Sequence, residues 1–315
     1  MTVSNILGCA GSVVFSLIAY KWIPFFGPFL SLLIPLPFLF YLSKLGLNEG
    51  IKVCIAAFLI IGITAKLMGE PDLVFLCIEM GIMGFILSVL FRKEYSYSLT
   101  IFLGTLTMLL VGLAFTLFVI VIKGATPVEI AVRIIQANLD AVVGVYEKKG
   151  INPEVIDQIK NLGPVVIELI KKIYPSLVVV GTGFIVWLNV VISKPLFRIR
   201  GLKYPDLGHA DMWRSPEYLV WGLIIAGFAK LLSISSLDFV ATNALIIFSV
   251  IYAFHGLSIV LFFFNKYNVP ALTRFIIYLI FALQQLSMIL LALLGIFDQW
   301  IDFRKLNRGN TRAAE

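Results

Sequence analysis

Apolar residues along the chain fall in long uninterrupted runs, without the alternation of a half-buried strand or the narrow stripe of a soluble helix. Crossing a bilayer core takes about 20 helical residues, and runs of that kind lie at roughly 5–20, 26–43, 51–68, 72–91, 99–122, 174–194, 216–232, 238–264 and 271–295. Barrel strands would alternate polar and apolar over about 10 residues, whereas these runs are apolar on every face. The pattern therefore predicts an all-α fold, a polytopic transmembrane helical bundle of eight or nine spans. Pro28, Pro35 and Pro37 predict a kink or break in the second run, which a membrane tolerates only where protein covers the freed carbonyls. The run 216–232 is short and opens near Glu217, so it either spans or enters and returns.

Residues 124–173 interrupt this pattern with six acids and six bases. Thr126-Pro127-Val128-Glu129 has the form of a capping box, in which the Thr126 hydroxyl caps the helix start and Glu129 reaches back. Val128, Val132, Ile135, Leu139, Val142 and Tyr146 then recur at helical spacing. Gly150 is expected to end that helix, Asn152-Pro153-Glu154 to start the next, and Gly163-Pro164 to break it before the chain re-enters the membrane. The stretch reads as an amphipathic helical hairpin, either a lid or docking surface over the bundle or a connector lying on the membrane. The chain then divides into a five-span bundle (1–123), the extramembrane hairpin (124–173), a membrane region of three or four spans (174–297) and a cytoplasmic tail (298–315).

Composition agrees with that reading and narrows it. Of 315 residues, 60% are hydrophobic and 14% charged, with a mean hydropathy of +0.99. A soluble domain has about 25% charged residues, so soluble enzymes, secreted disulfide scaffolds, disordered chains and nucleic-acid-binding domains are excluded. Cys9, Cys54 and Cys77 sit in apolar runs and read as small buried hydrophobes. The stretch Ile6-Leu7-Gly8-Cys9 has the look of a lipoprotein cleavage box, but no basic residue precedes it and only five residues could supply the apolar region, so Met1 is expected to begin the mature protein. The net charge of +7 carries topology. Lys44 and Lys52, Arg92 and Lys93, and the loop 194–214 with Lys194, Arg198, Arg200, Lys203 and Arg214 fall on one side. By the positive-inside bias that side is cytoplasmic and the N-terminus lies with it. Arg304, Lys305, Arg308 and Arg312 draw the tail inside too. Nine full spans would put it outside. Eight satisfy it, for instance if 216–232 is re-entrant.

An ionisable residue at mid-membrane costs at least about 2.5–3.5 kcal/mol and needs a reason. Glu79, inside the run 72–91, is either a ligand, cation or proton site or a protonated carboxyl bonded to a neighbouring helix. Tyr252, His255 and Asn243 share the run 238–264, and Gln284 and Gln285 sit within the last run. These five join Glu79 as candidate ligand-binding residues, although such side chains, Asn189 included, also serve as glue between helices. Lys66 and Lys123 lie at span ends, where they can snorkel. Asp206, His209 and Asp211 are metal-ligand types without a matching geometry. No P-loop, HExxH, GxSxG or CxxC motif occurs. No catalytic residue, metal or cofactor is assigned, and the chain is not expected to be an enzyme.

Several stretches of the last third carry a resemblance: Phe197-Arg198-Ile199-Arg200-Gly201, Trp213-Arg214-Ser215-Pro216-Glu217, Tyr252-Ala253-Phe254-His255-Gly256-Leu257, and Leu294-Gly295-Ile296-Phe297-Asp298-Gln299-Trp300-Ile301-Asp302-Phe303-Arg304. Together they resemble the YybS-like family of multi-span bacterial membrane proteins, which is distantly similar to the substrate-binding subunits of energy-coupling-factor transporters. The resemblance implies a ligand pocket open to the outer face, capped by loops, with the energising ATPase on other chains. Those subunits have about six spans, fewer than this chain. In the terminal motif, Asp298, Trp300, Asp302 and Arg304 form either a docking knob for a cytoplasmic partner or a charged, aromatic-anchored end. The expected function is thus a substrate-binding or permease-like transport subunit. The alternative is a membrane scaffold or assembly factor. The expected partners are the lipid bilayer, a small-molecule ligand and a cytoplasmic or membrane protein, with no nucleic acid.

Overall fold

The computed structural model describes residues 2–23, 26–71, 73–148, 153–232 and 234–305, and among these there are helices and loops but no strand. The fold is an all-α, polytopic bundle. Seven helices are long and apolar enough to cross a membrane, and one sharply bent pair would make an eighth. The chain forms two compact units, residues 1–118 with 181–208, and residues 119–180 with 209–315.

In the first unit, α1 (Val3–Trp22), α2 (Phe26–Ser31), α3 (Pro35–Leu45), α4 (Leu47–Leu67), α5 (Leu73–Arg92) and most of α6 (Tyr97–Lys123) pack with the last part of α8 (Pro153–Ile199). The three prolines break the second run into α2 and α3, as their missing N–H groups require. One freed carbonyl is covered by protein: Asn189 Nδ2 donates to the Leu32 carbonyl at 2.9 Å and to Ile185 of its own helix at 2.8 Å. Cys9, Cys54 and Cys77 are free thiols in one buried cluster with Val13, Leu17, Phe38 and Ile61. α5 and α6 run antiparallel, with Phe75 against Phe115 at 6.1 Å and Leu87 beside Gly104.

The second unit holds α7 (Pro127–Lys148), the first part of α8, α9 (Leu219–Leu231), α10 (Ser235–Lys266), α11 (Ala271–Leu283) and α12 (Gln285–Ile301). The capping box forms: Glu129 N–H donates to Thr126 Oγ1 at 3.3 Å, and Thr126 N–H to Glu129 Oε2 at 2.8 Å. Gly150 and Asn152 lie outside the described residues. Two expectations are corrected here. Gly163-Pro164 does not end a helix, since α8 runs on through it and through Pro175 for 47 residues. At Pro164 the seam with α7 is close, a Cβ on Gly163 standing 3.2 Å from the Leu139 side chain. At Pro175 the backbone is repaired by Asn243, which accepts the Ser176 N–H at 2.8 Å and donates to the Lys172 carbonyl at 2.9 Å. The run 271–295 is not one straight span either. It breaks at Gln284, where the backbone is extended, and its halves meet at 104°.

α9 has 13 residues and lies antiparallel along α10, with Ser215 at His255, Gly222 at Phe248 and Lys230 at Asp238. Asp238 also pairs with Lys172 in the middle of α8, which ties the end of α9 and the start of α10 to that helix. Where α10 meets α12 the backbones touch. A Cβ on Gly256 would stand 2.0 Å from the Leu291 carbonyl oxygen, and one on Gly295 would stand 2.2 Å from that of Tyr252. Only glycine permits so close an approach.

Candidate functional site

Four of the singled-out residues meet in one place. α10 supplies Tyr252 and His255, and the end of α12 supplies Asp298 and, just beyond it, Arg304. His255 and Asp298 are 0% exposed and Arg304 is 5%. His255 Nε2 lies 3.1 Å from Asp298 Oδ2, which also accepts from Arg304 Nη2 at 3.0 Å. On the other edge of the ring, His255 Nδ1 faces Ser215 Oγ at 3.0 Å, and that hydroxyl accepts from Gln299 Nε2 at 2.8 Å. With Nε2–H donating to Asp298 and Nδ1 accepting the Ser215 hydroxyl proton, one tautomer fits the Asp298 and Ser215 contacts, and Arg304 Nη2, 3.1 Å from Nε2, then donates to Asp298 and not to the ring. Arg304 Nη1 donates to the Asp211 and Trp213 carbonyls at 2.8 and 3.0 Å and to Ser258 Oγ at 2.8 Å. Trp213 sets its ring edgewise to His255, and the Tyr252 hydroxyl lies beside Ser215.

The local backbone explains how the arginine turns inward. Asp302 caps α12 in the left-handed region at φ 48°, and Phe303 N–H returns to Asp298 Oδ1 at 2.8 Å. That hook sends Arg304 back onto α10. The guanidinium and imidazole compensate the buried carboxylate, whereas any member left alone would carry a heavy desolvation penalty, and Arg304 Nε stays buried without a hydrogen bond among the described residues. Ser215, His255 and Asp298 stand in the order of a nucleophilic serine site. Ser215, however, is 2% exposed.

The other candidates lie apart from this cluster. Asn243 bonds to α8 as described, and Gln284 is exposed at the bend between α11 and α12. The side chain of Gln285 lies outside the described residues. Trp300 is 63% exposed, while Asp298 and Arg304 are turned into the cluster. Asp206 accepts the Gly208 N–H, and Asp211 accepts from Asn265. Glu79 belongs to the first unit and points from α5 at α6, its Oε1 3.8 Å from where a Cβ on Gly112 would stand. Half-buried, it has no hydrogen bond or ion pair among the described residues.

The α7–α8 hairpin carries a cleft of about 630 Å³ along its seam. Leu139, Ile159 and Ile167 line it together with Asp140, Lys160, Glu168 and Lys171. Lys160 also pairs with Glu147 at 3.0 Å.

Residues 10–299 match a family described as a predicted membrane protein, DUF2232. The chain belongs to that family. No curated protein and no solved structure matches it. The match spans the hairpin of this DUF2232 member and all of the cluster except Arg304. The cluster contains three residues that sequence reasoning left without a role, Ser215, Ser258 and Gln299. Ser215 and Gln299 stand inside the quoted motifs, where a polar residue next to an apolar run was the available signal. Ser258 follows His255 by three positions on α10, hence on the same face.

Proposed function

We propose that the chain is a permease-like solute-capture protein of the bacterial inner membrane, with a cytoplasmic N-terminus and a role resembling that of YybS-like proteins and the substrate-binding subunits of energy-coupling-factor transporters. The hairpin cleft carries this reading. Its volume of about 630 Å³ falls within the roughly 300–1,000 Å³ of small-molecule sites. A lining that mixes apolar side chains with carboxylates and ammonium groups suits a small zwitterionic solute. The Asn243 bonds to Ser176 and Lys172 fasten the helix that forms one wall. The reading assigns no catalytic step to this chain.

The test is thermal unfolding of the purified full-length protein against a panel of small zwitterions. A binder at about 100 times its Kd adds about 2.7 kcal/mol to the folded state, and the shift is expected to vanish in the Lys160→Ala/Lys171→Ala variant. A panel without any shift would overturn solute capture. One observation favours a scaffold instead: Leu162, Val165 and Leu169 form an exposed apolar stripe on α8, 59%, 61% and 53% exposed. Partner proteins that co-purify and are lost on substituting that stripe would establish the scaffold.

A further inference from the structure

Of the four carboxylates on α4, α5, α10 and α12, three are matched with cations among the described residues and one is not. Glu49 accepts from Lys52 at 2.7 Å, Asp238 sits between Lys172 and Lys230, and Asp298 takes Arg304 and His255. Glu79 has no such partner among the described residues. A carboxylate in hydrocarbon is relieved by a counter-cation or by taking up a proton. What faces Glu79 across the seam is the bare backbone of Gly112, with the Phe75–Phe115 pair one turn away.

Among the described side chains, the helices packed on α5 place no cation in an ion pair with it; on α8, Asn189 is turned to the Leu32 carbonyl and Lys194 lies over the Tyr204 ring. On α3, Lys44 donates to Asn5 and Tyr41 stands against Gly8. On α4, Glu49 and Lys52 hold each other, Cys54 is in the thiol cluster, and Lys66 occupies the last turn. On α6, Tyr97 and Lys123 are the two end residues. Arg92, at the far end of α5 itself, donates to the Leu42 carbonyl.

We propose that Glu79 is a proton-binding site, a carboxyl that loads and releases a proton at the α5–α6 seam beside Gly112. The only bond made or broken is its O–H, with water at the half-exposed side chain as proton donor and acceptor. The site would give the protein a coupling ion, and it stands independently of the solute-capture reading.

Dicyclohexylcarbodiimide tests it on the full chain in lipid. This apolar reagent takes a protonated carboxyl across one C=N bond, the proton passing to nitrogen, and the O-acylisourea rearranges to a stable N-acylurea that retains the whole reagent mass. Peptide mass spectrometry is expected to find the adduct on Glu79 and none on Glu49, Asp238 or Asp298. Its rate should fall about tenfold per pH unit above the midpoint of the carboxyl, and Glu79→Gln should remove it. A folded wild-type protein with no adduct at Glu79 at any pH, or with labelling there that ignores pH, would overturn the proposal. A missing solute-induced thermal shift alongside normal labelling would count against the cleft alone.

Discussion

At the scale of single residues, the polar side chains inside the helices do backbone repair and charge matching. Asn189 and Asn243 each cover backbone groups beside a proline, Leu32 ahead of Pro35 and Ser176 after Pro175. The glue role was legible from residue type and burial in an apolar run. The partners were not, because they lie 157 and 67 positions away. The same limit applies to Asp298 and Arg304. Spacing placed them at a tail surface, and only the left-handed turn at Asp302 shows them pointing inward. Asp298→Ala leaves Arg304 buried without its counter-charge and is expected to lower unfolding stability by about 3–5 kcal/mol. Asp298→Ala/Arg304→Met should lose less than the two single variants added together. Denaturant unfolding of the four proteins in detergent reads the coupling, and strict additivity would contradict the buried pair.

At the scale of elements, the hairpin start was legible because a capping box is local chemistry, complete within Thr126–Glu129. The continuity of α8 was not, since Pro164 and Pro175 are tolerated through neighbours the sequence does not order in space. The bend at Gln284 was likewise hidden, because an amide pair in an apolar run reads equally as helix glue. The pairing of elements bears on the sidedness of the tail. Arg304 bonds to the backbone of Asp211 and Trp213, so the end of α12 and the 209–215 loop meet at one level. α11 packs back on the end of α10, with Tyr278 against Phe264 and Arg274 bonded to the carbonyls of Phe264 and Val269. Together, α11 and α12 are expected to enter and return on one side of the membrane. Single cysteines at His209 and Lys305, both exposed, in a background lacking the three native thiols, should react with an impermeant maleimide from the same side of sealed vesicles. Labelling from opposite sides would refute the re-entrant pair.

At the scale of the whole molecule, the class of protein was the most legible property, because nine apolar runs dominate every other signal in the chain. The division into two units was not: the five-span and hairpin boundaries followed hydropathy, whereas the units exchange segments at residues 118, 180 and 208. The register of α9 on α10 has a consequence for where such a protein can live. Asp238 and His255 mark two polar levels on α10 about 17 residues apart, or about 26 Å at the helical rise of about 1.5 Å per residue. That is a fixed ruler for the surrounding lipid. Bilayers much thicker than this would pull hydrocarbon over the Asp238 and Asp298 ion pairs, at a fraction of a kcal/mol per Å of mismatch. Melting temperatures in nanodiscs of graded acyl-chain length should therefore peak near the thin end of the series, and a flat profile would mean the two polar levels do not set the fit to the bilayer.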